Sequence, residues 1–411
     1  MDKKNKNPNV PNLRFPQFIE PWNNYIVSEL LTTFPTNSLS WDQLAYDQDS
    51  SLKNLHYGLI HNGFQTTCIA GEDRLFPYIN QSFIPLKHTL IQNGDLILAD
   101  ASEDRKDVGR PVEMLDIGDQ KIVSGLHTIH AKNKTNLIVN GFKGFYFQSS
   151  AMKQQIFKIA NGSKIYGISS SAFNELKMFI PEKQEQKKIV DLMIKIEKKI
   201  QTQSKIIELK QSLIKDIEDK LLWKSASTYS RHISDFLTEL NDKSKIQNQY
   251  PLLSSTKKGL FLQTDYFNKE AASSNNIGYK IVHEGDIIIS PQNLWMGNIT
   301  YNDKFVNGLV SPSYRIYKVK EEYNAYYISR ILMSYRALSL YKNISEQGAS
   351  IVRRNLNVDA FNELCFPIPN IKKQDEVSLF LSKLHQELNS EIEILRQLKN
   401  QKKYLLCNMF I

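Results

Sequence analysis

Two amphipathic stretches in the same register constrain this fold more than anything else in the chain. One runs over residues 182–223, the other from 372 to 411. In the first, Ile189, Met193, Ile196, Ile200, Gln203, Ile207, Lys210, Ile214, Ile217 and Leu221 follow a 4-3-4-3 spacing. That spacing keeps one seam along a long helix. In the second, Val377, Leu381, Leu384, Leu388, Glu391, Leu395, Leu398, Lys402, Leu405 and Met409 follow it again. Val377 lies 188 positions after Ile189, and Met409 lies 188 after Leu221. Gln203 and Glu391 interrupt the two seams at the same place, as a buried polar layer that fixes register would. The expectation is two long helices paired as an antiparallel coiled coil.

The offset continues outside the helices. Phe173-Asn174-Glu175-Leu176 recurs as Phe361-Asn362-Glu363-Leu364, and each is followed by Ile-Pro (Ile180-Pro181, Ile368-Pro369). Gly94-Asp95-Leu96-Ile97-Leu98 has a counterpart in Gly285-Asp286-Ile287-Ile288-Ile289. Val123-Ser124 and Val310-Ser311 each open a β-like alternation, and Asn161 to Ile165 corresponds to Gln347 to Ile351. The chain is therefore a tandem duplication. Each half carries a globular part of mixed strand and helix, then a long helix. The expected division is 1–181 and 225–369 for the globular parts, with 182–224 and 370–411 for the helices. Residues 324–342 have a single helical pattern, with 151–160 as the counterpart in the first half.

Composition excludes some classes. The three cysteines, Cys68, Cys365 and Cys407, lack paired spacing, which argues against a disulfide scaffold or zinc site and suits a reducing cytoplasm. No apolar run reaches the roughly 20 residues a membrane span needs. The N-terminal residues lack the apolar run of a secretory signal. The net charge of +9 fits a polyanionic partner. No Gly-rich phosphate loop is present, and no metal site or cofactor is expected. His127 and His130 are three apart in a strand-like stretch and would point to opposite faces. Asp100, Glu103, Asp104 and Lys106 imitate a nuclease cluster but are better explained as a charged loop.

In order and in duplicate, these pieces make the chain similar to the specificity subunit of a type I restriction–modification system. The opening Leu13-Arg14-Phe15-Pro16, Phe18 and Trp22 carries part of the resemblance. The rest lies in the repeated Phe-Asn-Glu-Leu…Ile-Pro joint leading into Glu182-Lys183-Gln184-Glu185-Gln186 and Lys372-Lys373-Gln374-Asp375-Glu376. The second half lacks a copy of the Arg-Phe-Pro opening. The resemblance implies an α/β fold with two target-recognition domains separated by two long antiparallel helices. It implies double-stranded DNA as ligand, two methyltransferase (modification) subunits and ATP-driven restriction subunits as partners, and no catalysis in this chain. A coiled-coil scaffold with two protein-binding heads, or a self-contained enzyme with a divergent site, are the rival readings.

The candidate DNA contacts are loops that mix Arg or Lys with amides, hydroxyls and Tyr, the groups that read base edges and hold phosphates. In the first half they are Arg105, Lys106 and Arg110, with Ser163, Lys164 and Tyr166. In the second they are Gln292, Asn293 and Trp295, with Gln347, Ser350, Arg353, Arg354 and Asn355.

Overall fold

The structure is a computed structural model, and it describes residues 9–47, 51–62, 67–69, 76–224, 230–257, 259–266, 275–347 and 354–411. The long helices are Lys183–Glu218, continued as a π-helical stretch Asp219–Lys224, and Ile371–Asn408. The chain forms two compact units, one of residues 1–204 with 393–411, the other of residues 205–392. Each unit thus takes one end of both long helices.

In the first unit, a five-stranded sheet has the order Leu31–Phe34, Thr128–Asn133, Leu96–Ala99, Pro111–Leu115, Thr67–Ile69. All pairs are antiparallel except the last. In the second, Leu237–Leu240, Arg315–Val319, Ile287–Ile289 and Ile299–Tyr301 form the same antiparallel order. The first four strands of one sheet therefore have counterparts in the other. Each repeated motif has a local cause. Gly94 (φ 85°) and Gly285 (φ 90°) take left-handed backbone, which only glycine adopts at little cost. The next residue then turns its carboxylate back onto the turn: Asp95 accepts from Gln92 N–H (2.8 Å), and Asp286 from His283 N–H (2.7 Å). In the Phe-Asn-Glu-Leu joint, Phe173 and Phe361 are fully buried. The carbonyls of Leu176 and Leu364 accept from Val27 N–H and Ile233 N–H, at the start of a short helix in each unit.

Each long helix is fixed at its start by a glutamine. Gln186 Nε2 donates to the Pro181 carbonyl and its Oε1 accepts from Val139 N–H, both at 2.9 Å. Gln374 does the same with the Pro369 carbonyl (2.8 Å) and Asn324 N–H (2.9 Å). In the first unit, Ile189, Met193 and Ile196 share a core with Leu405, Leu406, Met409 and Phe410. In the second, Leu222 shares one with Val377 and Leu381. The start of one long helix meets the end of the other in one unit, and the reverse holds in the other, so the pairing is antiparallel in both. Every seam position named from the sequence is buried or half-buried. Two polar seam positions pair with acids: Lys402 with Glu197 (2.5 Å) and Lys210 with Glu391 (2.8 Å).

Two expectations need correction. Residues 324–342 form not one helix but two, Ala325–Leu332 and Tyr335–Asn343, because Ser334 caps the second through Ala337 N–H. Their counterparts are Phe142–Gln148 and Ser150–Ile159, with Ser149 as the matching cap. The Val-Ser alternations are also interrupted. Strand Ile122–Ser124 ends in a turn with His127 at φ 53°, and the chain resumes as strand Thr128–Asn133. His130 lies in that strand, fully buried with Nε2 2.7 Å from Asp95, whereas His127 lies on the turn and is half-exposed.

Candidate nucleic-acid interface

The two candidate loops of the first unit meet at the end of strand Leu96–Ala99. Ala101–Ser102 pairs antiparallel with Tyr166–Gly167. The Asp100 carbonyl accepts from Ile168 N–H (2.9 Å). Arg105 spans both loops. Its guanidinium lies 4.2 Å from the Phe157 ring centre and 5.8 Å from that of Tyr166. Its Nη2 donates to the carbonyls of Phe157 (3.1 Å) and Ala160 (3.3 Å), at the end of helix Ser150–Ile159. Arg105 is thus committed to holding the loop, whereas Lys106, Ser163 and Lys164 are exposed.

Arg110 is also engaged. Its Nη1 donates to the His61 carbonyl (3.1 Å) and lies 3.6 Å from Asp107. His61 has both ring nitrogens on acceptors, Nδ1 at 2.7 Å from Asp107 Oδ2 and Nε2 at 2.9 Å from the Ala101 carbonyl. Two acceptors call for two N–H groups, so this geometry favours the imidazolium form. The Asp107 hydrogen bond raises its pKa above the ordinary histidine value against the opposing effect of burial. Burial opposes ionisation of Asp107, but the His61 hydrogen bond and the Arg110 charge prevail and lower its pKa. His61 gave no signal in the sequence beyond its residue type, because 46 positions separate it from Asp107.

In the second unit the same two loops come together. Arg354 N–H donates to the Gln292 carbonyl (3.2 Å), and its guanidinium lies 4.5 Å from the Trp295 ring centre. Neither Trp295 Nε1 nor Arg354 Nε has a hydrogen-bond partner among the described residues. Trp295 is half-buried under this arginine. Gln292 is exposed. The Asn293 carbonyl closes a turn by accepting from Met296 N–H (3.0 Å) and Asn298 N–H (3.2 Å). Ser345–Gln347 pairs with Arg354–Leu356, and Asn355 is exposed there. Ser350, Arg353 and the side chain of Gln347 lie outside the described residues.

Residues 78–211 match the family model described as the type I restriction modification DNA specificity domain. No curated protein matches the chain. Among solved structures, the type I restriction–modification S subunit from M. genitalium is similar over 98% of this chain and 99% of its own, at 14% identity and a TM-score of 0.56. A structure described as showing complex assembly and conformational transition of the type I R-M system is similar over 95% and 98%, at 12% identity and a TM-score of 0.55. At these identities the two likenesses establish the fold. Among the described residues, no helix is long and apolar enough to cross a membrane.

Proposed function

We propose that this chain, which carries a type I restriction modification DNA specificity domain on a fold similar to an S subunit, is the DNA-recognition subunit of such a system. Each globular domain reads one half of a split target through base edges. Because the two loop sets differ in sequence, the two halves differ, giving an asymmetric bipartite site. The paired helices set the gap between them: 36 residues at about 1.5 Å per residue span roughly 54 Å. Two methyltransferase subunits that bind S-adenosylmethionine dock on the chain, and ATP-driven restriction subunits join them in the cytoplasm. This chain positions the chemistry and performs none. The docking contacts include the outer helix face, where Leu209 and Leu213 are 63% and 58% exposed.

The observation that carries the reading is the matched pair of loops. In each unit the loop after the Gly-Asp strand and the loop before the Phe-Asn-Glu-Leu joint are joined at one sheet end. The methylome of cells carrying the complete system tests it. The expected result is one motif with two unlike halves and a fixed gap; a single continuous motif would overturn the reading. Inserting four residues beside Gln203 lengthens the helix by about 6 Å. It should widen the gap by one or two base pairs, at about 3.4 Å each.

A further inference from the structure

At the first unit's sheet end, two segments not singled out by the sequence join the candidate loops. One is the turn bearing His127; the other is the stretch from His56 into helix Tyr57–Asn62. The His127 turn and the loop through Ile168 meet at Asp100, and the His56 stretch reaches it through His127. Asp100 N–H donates to the His127 carbonyl (3.0 Å), and its Oδ1 lies 3.3 Å from His127 Nδ1. The Tyr57 ring is edge-on to His127, with centres 5.2 Å apart, and His56 lies 4.6 Å from Tyr57 and 4.4 Å from Trp41. Four rings thus form a row ending at one carboxylate, with Trp41 44% exposed and the Asp100 and His127 side chains 27% and 50% exposed.

A carboxylate here needs explaining. Lys106 and Arg110 are on its own loop, with Glu103, Asp104 and Asp107, and Lys164 is on the adjoining one; Glu103 and Asp104 are exposed, whereas Asp100 is part-buried and held against His127. On a surface built to hold phosphates, an acid is repelled by the ligand. It is useful there if it meets a base edge, because an ionised carboxylate only accepts hydrogen bonds. In the major groove the base donors are the amino groups of cytosine and adenine. Non-glycine residues rarely take positive φ, and such residues cluster at functional sites; His127 is one of three among the described residues.

We infer that Asp100, oriented by His127, reads the amino group of a cytosine or adenine in the target half recognised by the first domain, with Tyr57 and Trp41 walling the base edge. This rests on the DNA-recognition reading above and adds the residue and the base chemistry. Burial, opposed by His127, raises the Asp100 pKa, and the imidazole beside Oδ1 fixes the direction in which the carboxylate points.

The test is selection from a random-sequence duplex library by the assembled complex of this chain and its modification subunits. The variants are Asp100→Leu, which is similar in size and has no acceptor for a base amino group, and His127→Asn, because asparagine tolerates positive φ. The wild type should select a two-part motif with cytosine or adenine at the contacted position. Each variant should lose that preference at least tenfold, with the second half and the gap unchanged. Unaltered selection by both variants would overturn the assignment. Loss of both halves would also overturn it, since Asp100 would then be holding the fold rather than reading a base. A wild type that selects no two-part motif defeats the underlying reading, and the assignment with it.

Discussion

The two units solve the same structural problems with different residues. Each stacks an arginine on an aromatic ring across its two loops, but from opposite sides. In the first, Arg105 from the loop after the Gly-Asp strand lies on Phe157 and Tyr166. In the second, Arg354 from the other loop lies on Trp295, which follows the Gly-Asp strand. The helix that follows the central strands shows the same divergence. Phe142–Gln148 begins at Gly141, which has no side chain to cap it. Glu113 from the neighbouring strand accepts from Gly141 N–H and Gly144 N–H, both at 2.7 Å, and pairs with buried Lys143 at 3.0 Å. In the second unit Asn324 caps its own helix, accepting from Tyr327 N–H at 2.9 Å. Duplication preserved the need for a cap and a loop clamp, not the residues that supply them.

Removing the caps gives the largest expected difference. Glu113→Ala leaves a fully buried ammonium without its partner, a loss of about 3–5 kcal/mol. Asn324→Ala removes an ordinary N-cap, at about 1 kcal/mol. Hydrogen exchange on the full chain, followed by mass spectrometry, should place each loss in its own unit. Equal losses would show that the two helices are held alike after all. Next is the clasp of the opening segment. Arg14 forms a two-pronged pair with Glu185, Nε to Oε1 at 2.8 Å and Nη2 to Oε2 at 2.7 Å, and Glu185 is buried. Arg14→Ala should cost about 2–3 kcal/mol in the first unit, since it strands a buried charge. The position 188 residues after Glu185 is Lys373, about half-exposed with a partner at i+3, and Lys373→Ala should shift stability by less than about 0.5 kcal/mol. A large effect at Lys373 would mean that the second unit is clasped too.

Those pairs show where sequence was sufficient and where it was not. The repeat was readable because it rests on spacing. Seam residues recur every three or four positions, Gly-Asp turns need their residue types, and the Phe-Asn-Glu-Leu joint buries its Phe. Arg14 and Trp22 were readable as a motif, though nothing in it indicated that Arg14 meets Glu185, 171 positions away. The loops were readable as places, but the roles within them were not. Arg105 and Arg354 look equally free in a sequence, yet one is tied to two carbonyls and the other rests on a ring. His61 and Trp41 join the site only through folding, so no local pattern singled them out, and His127 stood out only beside His130, not as part of this site. The helix break at Ser334 was missed because apolar spacing runs through it, although a serine cap explains it afterwards.

His61 gives a third contrast, about 1 kcal/mol or less. Its raised pKa means the bonds to Asp107 and Ala101 contribute fully below the unfolded value of about 6.5 and are lost as pH rises through the folded value. After correction for the intrinsic rise of exchange with pH, the protection of residues 101–107 should therefore fall from neutral towards alkaline pH, and His61→Gln should abolish that fall. No such change is expected in the loop after Ile287–Ile289, where the clamp is an arginine that keeps its charge throughout.

The last comparison discriminates best between the two clamps. Arg105→Lys keeps the charge but loses the planar guanidinium, which lies on the Phe157 ring while its Nη2 donates to the Phe157 and Ala160 carbonyls, so it should cost about 1 kcal/mol of stability. Arg354→Lys loses only stacking on Trp295, about 0.5–1 kcal/mol. The consequences for DNA should run the other way. Both arginines leave Nε unpartnered among the described residues, but Arg105 Nη2 donates to two carbonyls of its own unit, whereas Arg354 lies against Trp295, whose Nε1 is also unpartnered. Arg354→Lys should therefore weaken selection at the second half of the target by tenfold or more, whereas Arg105→Lys should leave the first half's sequence unchanged. If Arg105→Lys alters selection and Arg354→Lys does not, the arginine facing the ligand is the one assigned here to holding the loop, and the roles of the two clamps must be exchanged.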